Sequence, residues 1–454
     1  MPSDAARGTA REPDSDGAAA SDATGDEADD ARTGAVDGDG DDAAPAAATP
    51  TGVELTTDAP ARALLTDERL VSILMLSGVG VVGPQAVPPA LPAIQSTLAV
   101  PDAQIGLVMT ALFLPAMVLT PVTGAICDIY GRRPVSLASL ALFGAAGVAI
   151  FAAPTFEVVL ALRVIQGISF AALTPLSVAF IGDFFAGTAG TTAQGIRVST
   201  NGLVIIVAPA IAGALADVAW NYPFLLYGAA FPALVYVYYN FPEATAFDDD
   251  AERSVTGEFG AYVRGMLSAL NDRNLLLLIL GGFTLFLVKF GMMTIVPLLA
   301  TRAVGLRPAT VGLLFSLIGL VRVVVSPQAG RVAGWLPRKT GFVVTMGIVA
   351  ASMALFAVAT SLAGLVAAVV VYALGMSVFN PTLNDTVTAT APPDNRAGVV
   401  SALQASKNSA NTVGPAAASL LFAATDFRTV FLAGGVVAVG YVALVVVGLD
   451  PEAY

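Results

Sequence analysis

The chain has 454 residues, of which 56% are hydrophobic and only 12% are charged, and its mean hydropathy is +0.76. A soluble domain carries about 25% charged residues to face water, so this composition excludes a set of soluble domains. The lack of histidine and the single cysteine exclude an internal disulfide, a histidine metal site and an imidazole proton relay.

The formal net charge of −12 is concentrated in residues 1–68, which hold 17 Asp or Glu residues and 4 Arg. This segment has no aromatic residue and is rich in Ala, Gly, Asp and Thr, so it cannot bury enough apolar area to offset the entropy of ordering. It also lacks the basic and then apolar pattern of a secretory signal. We expect a mostly disordered cytoplasmic tail, with an acidic docking arm as the alternative.

The rest of the chain is almost neutral, with 17 acidic and 18 basic residues, and apolar stretches recur along it. Each stretch has about 20 residues and is long enough to cross a bilayer. The pattern predicts an all-α membrane protein with twelve transmembrane helices. The predicted segments are 70–91, 103–127, 134–153, 158–182, 194–216, 222–241, 274–300, 309–329, 341–360, 363–384, 398–423 and 428–448.

The most distinctive motif lies at the end of the second segment, where Gly124, Asp128 and Gly131 precede Arg132 and Arg133. A glycine at 124 lets two helices approach closely, and a glycine at 131 permits a tight turn. The carboxylate at 128 accepts hydrogen bonds from an arginine or a helix N-terminus. We interpret the motif as a charged latch that holds one conformation. Positive-inside topology alone would explain the two arginines, but not the other three residues.

This motif resembles Gly-x-x-x-Asp-x-x-Gly-Arg-Arg, the signature of the major facilitator superfamily, and the resemblance covers all twelve segments. It implies the major facilitator fold, in which two pseudo-symmetric six-helix halves work by alternating access. A second copy of the motif contains Gly330, Arg338 and Lys339. Gly334 and Pro337 replace its Asp and its second Gly, so the latch is expected to be stronger in the first half.

Two further stretches are similar to motifs of the proton-coupled drug antiporters within that family. Arg163 and Gln166 match an Arg-x-x-Gln-Gly motif, whose arginine is implicated in proton coupling. Pro209 and Gly213 match a Gly-Pro-x-x-Gly-Gly motif, with Ala in place of two glycines. Pro and small residues allow a kink and close helix packing there, and ordinary small-residue packing is the alternative.

An internal repeat relates the two halves at a fixed offset of 206 residues. Gly106 matches Gly312, and Pro209 matches Pro415, which follows Gly414. Matches at one offset over several segments indicate duplication, which places a binding site between the halves near the bilayer midplane. A repetitive helical membrane protein without such a site is the alternative.

We therefore expect an N-terminal half at 69–241, a cytoplasmic linker with an amphipathic helix at 242–273, a C-terminal half at 274–449 and a short tail at 450–454. Nine Lys or Arg residues lie in loops on the side of the N-terminus and three lie on the other side. This bias places both termini in the cytoplasm. Asp outnumbers Glu 25 to 9, which favours a salt-loving prokaryote and hence the plasma membrane.

Four basic residues, Arg163, Lys289, Arg322 and Lys407, fall inside apolar segments, while no Asp or Glu lies deep in any segment. A basic residue at a helix centre costs at least about 2.5 kcal/mol, so each is expected to face a cavity or a partner, unless it snorkels to the interface. Neutral side chains that line the same cavity or bond between helices are expected at Gln85, Asn201, Asn380, Asn384, Asn408 and Asn411.

These features predict a secondary active transporter and not an enzyme, with no cofactor, no metal, no nucleic acid and no Walker motif for ATP. Its partners would be the lipid bilayer, a small-molecule substrate and a proton, and a monomer is expected. The leading hypothesis is proton-coupled efflux, with Glu157, Asp217, Asp128 or a buried lysine carrying the proton. The alternatives are transport of an organic anion by a basic cavity and, more remotely, a sensor that binds without translocating.

Overall fold

The computed structural model describes residues 56–57, 60–241, 272–392 and 396–449. The expected amphipathic helix of the linker, the C-terminal tail and most of the acidic tail lie outside the described residues. The side chain of Asp128 lies outside them as well.

Helices form all the regular secondary structure of the described residues, and they occur at all twelve expected positions, which confirms the all-α class. Nine helical stretches of the described chain are long and apolar enough to cross a membrane, by length and composition. We label the helices α1 (Glu68–Gln85), α2 (Leu107–Leu119), α3 (Arg132–Ala149), α4 (Phe156–Phe184), α5 (Gly187–Val218), α6 (Ala230–Asn240), α7 (Arg273–Leu298), α8 (Pro308–Val325), α9 (Arg338–Val358), α10 (Leu362–Thr390), α11 (Arg396–Ala424) and α12 (Phe427–Gly448).

Several of the expected segments are interrupted rather than continuous. Helix α2 breaks at Thr120–Val122 and resumes as Thr123–Tyr130, and α8 breaks at Ser326–Gln328 and resumes as Ala329–Trp335. The cause is a proline in each break, since proline lacks an N–H and clashes with the preceding turn. The two prolines, Pro121 and Pro327, are 206 residues apart in the sequence, so the halves share this interruption.

Aspartate side chains cap the N-termini of three helices. Asp67 accepts hydrogen bonds from backbone N–H groups at the start of α1, and Asp272 does so at the start of α7. Asp426 accepts one from Thr429 N in α12 at 2.8 Å. Hydrogen bonds from Thr429 hold the pKa of Asp426 below its usual range. Each cap satisfies amide groups that have no partner within the helix.

The two halves use the same helix pairings. In the first half, α4 packs against α2 and α3, and α1 packs against α5. In the second half, the equivalent pairs are α10 with α8 and α9, and α7 with α11. Helices α5 and α8 form the main contact between the halves, and α2 and α11 form its symmetry-related counterpart. The packing therefore follows the internal repeat.

The last part of the acidic tail contacts the helical body. Leu64, in a short helix at Ala61–Leu64, is only 1% exposed. The backbone N–H of Thr56 donates to Phe184 O at 3.1 Å, and Ala186 N donates to Thr56 O at 3.0 Å. These contacts precede the expected boundary at residue 68. They form because an apolar side chain is buried and because free backbone groups of the α4–α5 turn find partners.

The bundle has two ends, which we name by the direction of the odd-numbered helices. These helices begin at the proximal end, next to the start of α1, and finish at the distal end. The α1–α2, α5–α6 and α7–α8 connections meet at the distal end, where Asp102 contacts Arg302 and Asp217 contacts Arg307.

Candidate functional site

Two backbone contacts between the halves lie toward the distal end. Gly106 in the turn before α2 packs against the backbone of Pro415 in α11, and Gly312 in α8 packs against the backbone of Pro209 in α5. A Cβ atom on either glycine would overlap the carbonyl oxygen of its proline. Because these four residues are related by the offset of 206, the sequence repeat corresponds to one contact made twice.

The other two residues predicted to pack helices, Gly213 and Gly414, also lie at close backbone contacts. A Cβ atom on Gly213 of α5 would lie 2.9 Å from Gly312 Cα, and one on Gly414 of α11 would lie 2.8 Å from Leu287 O in α7. Small residues at these places let the backbones approach to a distance that larger side chains prevent. Gly213 thus belongs to the contact between the halves, whereas Gly414 lets two helices of the second half pack closely.

Two ion pairs cross between the halves at the same end. Arg302 Nη1 lies 2.9 Å from Asp102 Oδ1, and Arg307 Nη2 lies 2.9 Å from Asp217 Oδ2. Asp217 also accepts a hydrogen bond from Ala309 N at the start of α8, at 3.2 Å. Since the arginines are 41% and 78% exposed, solvent screening limits each pair to about 0.5 kcal/mol.

A small cavity lies between the halves. Two of its lining residues come from the first half and the others from α7, α8 and α10. Among the described residues that line it there are two positive charges and no carboxylate. The lining consists of Gln85, Ile205, Lys289, Met292, Met293, Phe315, Ile318, Arg322, Tyr372 and Met376.

Lys289 and Arg322 are the basic residues of this cavity. The Lys289 ammonium lies 4.6 Å from the ring centroid of Phe290 and 5.1 Å from that of Phe286. Within the described part of the chain, neither Lys289 nor Arg322 makes a hydrogen bond or an ion pair. Aromatic faces attract a cation, but they leave its hydrogen-bond donors unused.

Lys407 of α11 lies next to the cavity. Its ammonium is 5.4 Å from the Phe286 ring, so this ring lies close to both Lys289 and Lys407. The Lys407 Nζ also donates to Asn384 Oδ1 at 2.6 Å. Lys407 is 4% exposed, whereas Asn384 and Gln404, nearer the proximal end, are exposed. The basic group is therefore reached from the proximal side.

Arg163 belongs to a different site, inside the first half and outside the cavity lining. Its Nε donates to Val108 O at 3.1 Å, and its Nη1 lies 2.7 Å from Gln166 Oε1 and 3.1 Å from Tyr227 Oη. Tyr227 in turn donates to Gly83 O at 2.8 Å. Arg163 is completely buried, and its network joins α1, α2, α4 and the turn before α6.

The asparagines expected in the cavity have other surroundings. Asn201 exchanges hydrogen bonds with Ser77 Oγ, which also accepts from Arg197 Nη1 at 3.2 Å. Asn380 and Asn411 have side-chain oxygens with no partner among the described residues. Arg197, a further basic residue inside a predicted segment, is 8% exposed and was not expected. Its position four residues before Asn201, on one helix face, was the available signal.

The first-half latch residues lie at the proximal end. Gly131 adopts a φ of +83° between the two helices, a conformation that favours glycine. Arg132 forms an ion pair with Asp183 at the end of α4. The side chain of Asp128 lies outside the described residues, and Gly124 is exposed. Asp183 was not expected as the partner, because only its place near a segment end is visible in the sequence.

The other latch residues have separate partners. Arg133 Nη2 donates to Tyr238 O at 2.7 Å, and Lys339 Nζ donates at 2.9 Å to the backbone oxygen that follows α12. Arg338 is the first residue of α9. A Cβ atom on Gly330 would meet no atom within 4 Å. The two copies of the motif therefore make different contacts.

Comparison with known proteins decides the family. A model of the Major Facilitator Superfamily matches residues 71–302 and 278–453. The chain belongs to the Major Facilitator Superfamily. The family and its fold are those of transporters, which confirms that the chain is not an enzyme.

Two curated proteins, an exporter and a multidrug transporter, are similar to part of this chain. The Bacillibactin exporter of Bacillus subtilis is 32% identical over 165 residues, which are 34% of this chain and 40% of that protein. The Multidrug transporter protein MdtP of the same organism is 30% identical over 118 residues, which are 26% of this chain and 22% of that protein. The chain thus spans less than half the length of these relatives. Their names support the resemblance to drug-efflux members.

A solved structure covers nearly all of the superfamily fold. A bacterial homologue of the human lysosomal transporter Spinster, in an inward-facing and unoccupied conformation, superposes with a TM-score of 0.70 at 17% identity. The match covers 86% of this chain and 97% of that chain. It supports the major facilitator fold that the sequence predicted.

Proposed function

We propose that the chain is a secondary active exporter of a small molecule, driven by a proton gradient and working by alternating access. The observation that carries this proposal is a cavity between two repeat-related halves, with tight glycine–proline contacts on its distal side. A binding site between repeats is the arrangement that rocking of one half against the other requires. The names of the curated relatives, an exporter and a multidrug transporter, favour the outward direction.

The bias of Lys and Arg residues supports a plasma-membrane protein with both termini in the cytoplasm. In that orientation the distal end faces outward, and the cavity is reached from the cytoplasm. The motif around Arg132 lies at the proximal end, where its partner Asp183 belongs to the same half. We take the active unit to be a monomer.

Asp217 is the carboxylate best placed to couple a proton to this movement. Its side chain pairs with Arg307 and accepts the N–H of Ala309 at the start of α8, so it joins the two halves. Protonation would remove the charge that both contacts use. The distal end would then separate more easily, so proton binding and opening would favour each other.

The experiment compares two glycine variants in proteoliposomes that hold the full-length protein. Gly312→Ala introduces a Cβ atom where the Pro209 carbonyl lies, so the distal end cannot close and counterflow should fall at least about tenfold. Gly440→Ala in α12 is the matched control, because its Cβ atom meets nothing within 4 Å. We expect the control to keep the wild-type rate.

Efflux in cells is the second readout. Expression in a pump-deleted strain should lower dye retention, and Asp217→Asn should remove the dependence on the proton gradient. Substrate binding without any counterflow would contradict transport and would support a sensor. Equal counterflow for Gly312→Ala and Gly440→Ala would contradict the role of distal closure.

A further inference from the structure

We propose that the transported molecule is an amphiphilic organic anion whose negative group lies between Lys289 and Arg322; this rests on the proposed export function. The proposal names the substrate class of the cavity between the halves. Its basis is the distribution of charge, hydrogen-bond donors and apolar surface around that cavity.

The basic groups of the cavity, Lys289 and Arg322, are partly exposed and therefore open to a ligand. Lys289 and Arg322 both line it, and neither makes a hydrogen bond or an ion pair within the described residues. A basic side chain in the middle of a membrane helix costs at least about 2.5 kcal/mol. Proteins usually offset that cost with a carboxylate or a backbone carbonyl. Here an anionic ligand supplies what the described protein groups do not.

The surroundings add to the positive field. The Lys407 ammonium faces the same Phe286 ring as Lys289, and it donates to the neutral Asn384. Two basic groups therefore lie beside one ring, and the lining contains no carboxylate among the described residues. Such a field raises the local concentration of anions and repels cations.

The geometry of the donors favours a carboxylate or a phosphate group. Arginine offers a planar fork that matches either group with two hydrogen bonds, and lysine offers a compact point charge. Gln85 contributes a neutral donor from the first half. An anion bound to Gln85 and to Lys289 or Arg322 would bridge the two halves, as substrate-driven closure requires.

The remaining wall favours an apolar body on the anion. Met292, Met293, Ile318 and Met376 line the cavity together with Phe315. Methionine side chains are flexible and polarizable, so they adapt to ligands of different shape. A small inorganic anion would leave this surface uncovered, whereas an aryl or alkyl acid would cover it.

The test uses three probes with the same ring system and different charge: 1-naphthoate, 1-naphthamide and 1-naphthylmethylamine. Their binding to the full-length protein in detergent is measured by equilibrium titration and by the shift of thermal unfolding. We expect the anion to bind at least about tenfold more tightly than the neutral amide, and the amine to bind least. Equal affinity for anion and amide, tighter binding of the amine, or no binding of the anion would overturn the proposal.

Variants separate charge from shape. Lys289→Met and Arg322→Gln should each weaken 1-naphthoate binding about tenfold while leaving 1-naphthamide binding unchanged. Lys289→Arg should restore anion binding, because it keeps the charge. Arg428→Gln removes one positive charge from an exposed residue outside the cavity and serves as the matched control. Unchanged anion affinity in both cavity variants would contradict the site.

Counterflow distinguishes this proposal from the one on which it rests. If 1-naphthoate binds selectively but is not exchanged across proteoliposomes, export fails and the anion site stands. If a cationic dye is exchanged and 1-naphthoate is neither bound nor exchanged, export stands and the anion proposal is wrong.

Discussion

The two halves of the bundle each contain basic residues within apolar helices, and they treat them in opposite ways. In the first half, Arg163 donates to Val108 O, Gln166 Oε1 and Tyr227 Oη, and it is completely buried. In the second half, Lys289 lies beside the rings of Phe286 and Phe290 and makes no hydrogen bond or ion pair within the described residues. Charge alone therefore does not identify a ligand site.

The difference lies in what the protein supplies to each cation. A buried charge that has several hydrogen bonds is part of the fold, because removing it leaves its partners without a donor. A charge that faces a cavity without polar protein partners contributes little to the fold and is available to a ligand. The number of polar partners should thus rank these residues by their effect on stability.

The largest effect is expected for Arg163→Met. The substitution leaves Gln166 Oε1 without its donor, and an unsatisfied buried group costs about 1–3 kcal/mol. We expect the protein to lose about 3 kcal/mol of stability, measured as a lower unfolding temperature in detergent. Arg163→Lys keeps the charge but not the planar fork, so it should recover part of the loss. Wild-type stability in Arg163→Met would contradict the structural role of Arg163 and the contrast between the halves.

An intermediate effect is expected for Lys407→Met. Among the described residues Lys407 has one polar contact, to Asn384 at 2.6 Å, and such a bond contributes about 1 kcal/mol. A double-mutant cycle with Asn384→Ala measures the coupling directly. We expect a coupling of about 1 kcal/mol. Additive effects of the two substitutions would show that the contact does not stabilise the fold.

The smallest effect on stability is expected for Lys289→Met and Arg322→Gln. Neither removes a hydrogen bond among the described residues, and both side chains are partly exposed. We expect changes within about 0.5 kcal/mol of the wild type, measured without ligand under the conditions used for Arg163→Met. A loss as large as that of Arg163→Met would mean that Lys289 or Arg322 has a structural role and would remove the contrast between the halves.

The sequence predicts the fold well because its signals are local. Apolar length identifies the helical segments, and the offset of 206 identifies the two halves. That offset also pairs Gly106 with Gly312 and Pro209 with Pro415, but it does not show that the pairs touch each other crosswise. Only the packing of α2 on α11 and of α8 on α5 shows this.

The site is predicted less completely, because partners distant in sequence decide it. Arg163 and Lys289 look alike in the sequence, since each is a basic residue in an apolar stretch. Tyr227, which lies 64 positions from Arg163, gives that arginine its structural surroundings, and no local pattern connects the two. Asp183 and Arg197 were missed for the same reason, since their contacts with Arg132 and Ser77 cross between helices.

The distal end combines two kinds of contact that respond differently to ionic strength. The Asp102–Arg302 and Asp217–Arg307 pairs are partly open to solvent, and at 1 M salt the screening length is about 3 Å. The close packing of Gly106 and Gly312 on proline backbones involves no net charge. In concentrated salt the closed end is therefore held by shape rather than by charge. In dilute medium both contribute, so the balance between the inward- and outward-facing forms becomes sensitive to the external solution.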